Sequence, residues 1–181
     1  MLKQLKVTIT TLQLQKAKDA GAELVFLPIY YSEAALILSQ ANAMEFAPMF
    51  FGCDGLDGIL SVEDFDTTLA EGVMLLTPFA ADAEDDATKN FVAAYNEAYG
   101  ETPIQFAADA YDCIYAIYQA CQKAGITVDM TAAQINEKMK EQFNTMTFSG
   151  LTGENMTWKD GYVSKSPKGM EIQNGVYVGL D

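Results

Sequence analysis

Residues 21–55, GAELVFLPIYYSEAALILSQANAMEFAPMFFGCDG, constrain this chain most, because they read as strand, helix, strand. Residues 23–27 are an apolar run containing Val25 and Phe26, long enough for a buried strand and too short for a helix. Pro28 has no backbone N–H to give, so the strand should end there. Tyr30 and Tyr31 follow at the mouth of the turn. Ser32 is the expected N-cap, and Glu33 suits the positive end of a helix dipole. Ala34, Ile37, Leu38 and Ala41 then recur at helical spacing. Residues 47–51 are the next apolar run, closed by Gly52-Cys53-Asp54-Gly55. Two parallel strands joined by a helix put Tyr30 and Asp54 at the same edge of one sheet. Ligands of open α/β sheets bind at that carboxyl edge.

The flanking segments extend this pattern. Val7 and Ile9 alternate within residues 6–10, which suggests a strand. Residues 12–20 have helical spacing, with Gly21 as the expected C-cap. Residues 56–62 suggest a short apolar helix, and residues 72–76, GVMLL, a further strand. After Pro78 the texture changes, and residues 77–86 read as an acidic linker. Phe91, Val92, Tyr95 and Tyr99 then share one helical face, which Gly100 stops. Pro103 is expected at the first position of a second helix. Its predicted apolar face is Phe106, Ala110, Cys113, Ile114, Ile117 and Cys121. Thr131 and Gln134 form a capping box that starts a third helix, ending near Phe143. The tail turns back to short strands. Asp160-Gly161 and Asn174-Gly175 are hairpin signals within it.

The 181 residues carry a net charge of −14, so the surface repels nucleic acid and anionic membranes, and no basic cluster offsets this. No apolar run is long enough for a membrane span. Residues 1–10 hold Lys3 and Lys6 but no apolar core of a signal peptide. There is no histidine, which removes the commonest general base and metal ligand. Cys113 and Cys121 lie two turns apart on one predicted helix, about 12 Å by helical rise and too far for a disulfide. No metal, cofactor or catalytic group is expected.

Asp54 has two readings. A turn aspartate ordinarily caps the helix that follows it. Alternatively its carboxylate meets a ligand ammonium, with Tyr30 supplying a ring face and a hydroxyl. Tyr30 alone would ordinarily be a packing residue, and spacing does not decide between Tyr30 and Tyr31. Phe106 is most simply a core residue.

The segments YYSEAALILSQANAMEFAPMFFGCDGLDG, AEGVMLLTPF, FVAAYNEAYGETPIQFAADAYDCIYAIYQACQKAG and FSGLTGENMTW…GMEIQNGVYVG, in this order, resemble the branched-chain amino-acid-binding proteins. These are solute receptors of ABC importers with the type I periplasmic-binding fold. The resemblance implies an α/β chain with a Rossmann-like parallel sheet, mostly the second lobe of that fold plus first-lobe helices. Residues 1–78 would be second lobe, 79–147 first-lobe helices, and 148–181 a β-rich return to the second lobe.

By the same resemblance, Tyr30 contacts the ligand and Asp54 pairs with its ammonium where relatives carry Glu. Phe106 lines the cleft. The implied ligand is a branched-chain or similar small amino acid, bound without catalysis. The implied partner is an ABC permease, and the parent protein is extracytoplasmic. The family's N-terminal part has no counterpart here. The helices of residues 87–99, 103–124 and 132–143 would then lack the sheet they pack on, so a homodimer is expected with Phe91, Tyr95 and Ile117 in or beside the interface. Two other readings stand beside this one. One is an interaction module that works through the exposed helices. The other is a receiver-like phosphoacceptor domain, which would need an acidic pair at its first strand to hold Mg²⁺. Residues 1–10 contain no Asp or Glu.

Overall fold

The computed structural model describes residues 2–180, with side chains from Thr10 onward. In chain order its elements are α1 (Leu2–Asp19), β1 (Leu24–Leu27), α2 (Tyr31–Ala43), β2 (Met49–Gly52), β3 (Met74–Thr77), α3 (Asp86–Tyr99), α4 (Gln105–Lys123), α5 (Ala132–Phe143), β4 (Phe148–Gly150), β5 (Gly153–Met156), β6 (Trp158–Lys159), β7 (Tyr162–Val163), β8 (Lys168–Gln173) and β9 (Val176–Leu180). Three 3₁₀ turns, Asp54–Leu56, Ile59–Ser61 and Thr67–Ala70, connect β2 to β3. Two compact units result: Met1–Ala80 with Lys168–Asp181, and Ala81–Pro167.

The first unit is built on a five-stranded sheet of order β1-β2-β3-β8-β9. β1, β2 and β3 are parallel, and β8 and β9 join antiparallel, so the α/β sheet is mixed. β1 and β9 form its two edges. Leu27, Ala34, Leu38, Leu56, Ile59, Val73, Leu75, Met170 and Ile172 are buried in it. Asn174 and Gly175, both at positive φ, turn β8 into β9 as their residue types require. α1 is tied to α2 by a Thr11 Oγ1–Gln40 Oε1 contact of 3.3 Å and by Lys18 Nζ on the Met44 carbonyl.

Three expectations fail in this unit. Residues 6–10 are helical rather than a strand, since α1 runs through them. Two alternating residues are too few to set a strand, and nothing between Thr10 and Leu12 stops the helix. Ser32 is not the N-cap of α2. Tyr30 holds that position, at φ −88° and ψ 159°, while the Ser32 hydroxyl donates to Glu33 Oε2 at 2.8 Å. Residues 56–62 do not form one helix, because Gly58, at φ 105°, breaks them into two 3₁₀ turns.

The second unit holds the three successive helices. Thr131 and Gln134 form the expected capping box of α5. Gly100 ends α3 in the left-handed region. Ala116, Ala120, Met146, Phe148 and Met156 make its core, with Met139, Phe143 and Trp158 against them. Asp160-Gly161 turns β6 into β7.

α4 departs from expectation twice. It begins at Gln105 with Ile104 as N-cap, so Pro103 precedes the helix rather than opening it. Its buried residues are Gln105, Ala108, Asp112, Ala116 and Ala120, whereas Ile114 and Ile117 are 66% and 47% exposed. The large apolar residues Ile114 and Ile117 thus lie on the open side of the helix. Its open side continues into α3 through a run of rings: Tyr99 to Tyr95 at 4.6 Å, Tyr95 to Phe91 at 5.9 Å, Phe91 to Tyr111 at 5.0 Å and Tyr111 to Tyr115 at 4.6 Å.

Asp112 is the polar member of the buried α4 face. Its carboxylate accepts from Leu151 N at 2.9 Å, Thr152 N at 2.8 Å and Thr152 Oγ1 at 2.7 Å. Gly150 lies so close to this carboxylate that a Cβ there would collide with it. The clamp joins the middle of α4 to the turn between β4 and β5. Asp112→Ala leaves two buried N–H groups without their acceptor, each costing about 1–3 kcal/mol. Urea denaturation should therefore show stability lowered by about 3 kcal/mol, with the slope unchanged.

Candidate functional site

β1 and β2 pair in parallel with Leu27 opposite Gly52, so both chains leave the sheet at the same level. After β1 the chain passes Pro28 and Ile29 to Tyr30, which is 63% exposed. Tyr31, the alternative that spacing left open, is half-buried in the first turn of α2. After β2 the chain passes Cys53 to Asp54, which is exposed. The next five residues, Gly55 to Ile59, are all buried. Asp54 is thus a single exposed carboxylate at the head of an interior loop.

Gly55 brings the two turns together. A Cβ on it would sit 2.5 Å from the Ile29 carbonyl oxygen, 3.2 Å from its carbon and 3.4 Å from Tyr30 Cα. Only glycine lets the backbones approach this closely. Gly52 acts similarly at the end of β2, against the Leu56 side chain and the Leu27 carbonyl. Tyr30 and Asp54, singled out in the sequence, are therefore neighbours. Phe106, the third, lies half-buried in the first turn of α4, in the other compact unit.

Two residues that sequence reasoning missed support the Asp54 loop. Asp57 is buried at 6% exposure. Tyr177, on β9, reaches the loop and accepts a hydrogen bond from Gly58 N at 3.0 Å. Burial pushes the Tyr177 phenol up to about 12, and the Asp57 carboxylate adds to the rise, while the N–H groups of Gly58, Ile59 and Leu60 oppose it. The alternation VYVGL after Asn174-Gly175 marks Tyr177 as a strand residue but gives no sign of where it reaches. Among the described residues no group of His, Cys, Asp or Glu could hold a metal ion. No described helix is long and apolar enough to cross a membrane.

The arrangement offers an anion, an aromatic face and a hydroxyl on rigid backbone at a sheet's carboxyl edge. That suits recognition of a small cation.

Comparison with known proteins adds three findings. The sequence model described as "Periplasmic binding protein" matches residues 10–175. The leucine binding protein LivK of Thermotoga maritima is 25% identical, with a TM-score of 0.76 over 93% of this chain and 47% of its own. The branched-chain amino acid transporter substrate binding protein LivJ of Streptococcus pneumoniae, solved with isoleucine, is 26% identical, with a TM-score of 0.73 over 93% and 48%. A solute binding protein of an ABC transporter from Rhodopseudomonas palustris, solved with benzoate, shares the fold at 16% identity and a TM-score of 0.77, over 93% and 45%. The chain thus spans about half the length of these structures. No curated protein matches it.

Gly55→Ala tests the packing of the two turns. The obstruction is backbone and cannot swing aside, so overpacking should cost about 1–3 kcal/mol. The expected result is a lowered denaturation midpoint, with amide signals of Ile29, Tyr30 and Asp54 displaced in NMR spectra.

Proposed function

We propose, from the premise that the chain belongs to the periplasmic binding protein family, that it is the ligand-anchoring half of a non-catalytic solute receptor of an ABC importer. The ligand is a small amino acid, branched-chain or similar. Asp54 pairs with its ammonium, and Tyr30 offers its ring and hydroxyl. Phe106 is the aromatic that the helical unit contributes in the two-lobe receptor. Residues 1–78 take the place of the second lobe and residues 79–147 that of first-lobe helices, but the return expected at residue 148 falls at Lys168, because residues 148–167 pack in the helical unit. A permease is the partner and the parent protein is extracytoplasmic. The observation that carries this reading is the exposed Asp54 at the head of a buried loop whose Gly55 meets the Ile29–Tyr30 backbone. The leucine- and isoleucine-linked names of two structural neighbours support the ligand class. A receiver-like phosphoacceptor gains no support, because the segment before the sheet is α1, not an acidic strand end.

An ion pair left in water contributes only about 0–1 kcal/mol, so Asp54 is tested where a second lobe encloses it. In a two-lobe receptor carrying this half, Asp54→Asn should weaken leucine binding by about 1.5–3 kcal/mol by calorimetry. Tyr30→Phe should cost less, since the ring remains. Unchanged affinity in the Asp54 variant would reduce that residue to a turn aspartate.

A second reading, self-association, is favoured by the open side of α3 and α4. Tyr99, Tyr111, Tyr115 and Tyr118 are 41–70% exposed, together roughly 400 Å² of aromatic surface per copy. With Ile114 and Ile117, two copies face to face bury on the order of 1,000 Å², the lower end for a specific interface. A two-fold dimer is the simplest closed arrangement, with Phe91, Tyr95 and Ile117 in or beside it. Light scattering at micromolar concentration should give twice the 19.8 kDa chain mass. A monomer with sharp amide signals from α3 and α4 would refute the dimer.

A further inference from the structure

Asp54 owes its placement to a loop that must hold its shape without regular secondary structure. The loop between Cys53 and Ser61 is two 3₁₀ turns broken at Gly58, whose φ is 105°. Leu56 and Ile59 fix it from below by burial, both being fully enclosed. Gly55 fixes it to the neighbouring turn by backbone contact. Those three restraints act through shape alone. A directional restraint reaches the loop's backbone from 119 residues away, where the Tyr177 hydroxyl accepts from Gly58 N.

The placement of Tyr177 makes that bond informative. Tyr177 sits opposite Ile172 on β9, the edge strand farthest in sheet order from β1. Its hydroxyl therefore links the last strand of the sheet to the loop that follows the second. The phenol oxygen lies where the second 3₁₀ turn begins, near the N–H groups of Gly58, Ile59 and Leu60 and beside the buried Asp57. Gly58 N–H has no partner within its own turn, since hydrogen bonding there starts with Ser61 N on the Gly58 carbonyl. A buried amide of this kind needs an acceptor from elsewhere. Tyr177 lies outside residues 10–175, to which the family match extends.

We propose that Tyr177 is the positioning residue of the candidate ligand site: its hydroxyl holds the Gly58 amide and thereby fixes the loop that presents Asp54. This rests on Asp54 being the ligand anchor. The hydroxyl contributes order to the loop, while the ring contributes to the packing of the sheet. The two contributions separate in Tyr177→Phe, which removes the oxygen and keeps the ring.

The test uses the full chain, labelled for amide hydrogen exchange by NMR. In Tyr177→Phe, exchange at Leu56, Gly58 and Ile59 should rise at least tenfold, while Leu75 and Ile172 in the sheet change less than twofold. The Asp54 side-chain carboxyl signal should broaden or split in the variant. Val176→Ala, an exposed neighbour on the same strand, should leave both sets unchanged. Equal acceleration in loop and sheet, loss of the folded sheet, or no change at the loop would each overturn the proposal, because it confines the effect to the loop. The result is separable from the Asp54 reading. A loosened loop with a silent Asp54→Asn in the two-lobe receptor would refute the anchor and leave the loop restraint standing.

Discussion

The contact between the Gly55 backbone and the Ile29 carbonyl is the constraint on which the first unit's candidate site depends. Parallel strands cannot be joined by a tight turn, so α2 must intervene between β1 and β2. The two chain exits are then 24 residues apart in sequence (Tyr30 to Asp54) yet side by side in space. Their separation is set by the absence of one Cβ. The candidate site, with Tyr30 and Asp54 on adjacent turns at one sheet edge, follows from that approach. The loop beyond turns inward directly after Asp54, leaving the carboxylate at the surface on a buried foundation.

The second unit solves its packing differently. Its core cluster is Ala116, Ala120, Met146, Phe148 and Met156. Asp112 supplements it with directional bonds to two consecutive backbone N–H groups and a hydroxyl. Apolar packing leaves sliding freedom, whereas a carboxylate accepting three hydrogen bonds sets one register between α4 and the β4–β5 turn. Gly150 is required beside it because a side chain would occupy the carboxylate's space.

Much of this was legible from local chemistry. Thr131 with Gln134 announced the start of α5, and Asp160-Gly161 and Asn174-Gly175 announced their hairpins, because caps and turns are decided within four residues. The β1–α2–β2 unit and the proximity of Tyr30 to Asp54 followed from strand–helix–strand order and the rule for parallel sheets. The buried face of α4 was not legible. Periodicity pointed to the side that carries Ile114 and Ile117, and the enclosed face proved to be the opposite, small and polar one. Asp57 and Tyr177 escaped because their roles depend on a contact across 119 residues. The start of α2 shifted from Ser32 to Tyr30 because a cap is set by backbone conformation as well as by side-chain type.

The position of β1 at the end of the sheet carries a further consequence, for how the chain behaves in company. Its four residues, LVFL, present an open row of backbone groups, and Leu24 and Phe26 are about half exposed. An open apolar edge is a template on which a foreign strand can grow, the first step toward aggregates. Here the template is bracketed. Glu23 sets a charge at one end, and Pro28 removes the donor needed to extend pairing at the other. Solubility of the folded chain is therefore guarded by two flanking residues that contribute nothing to its core.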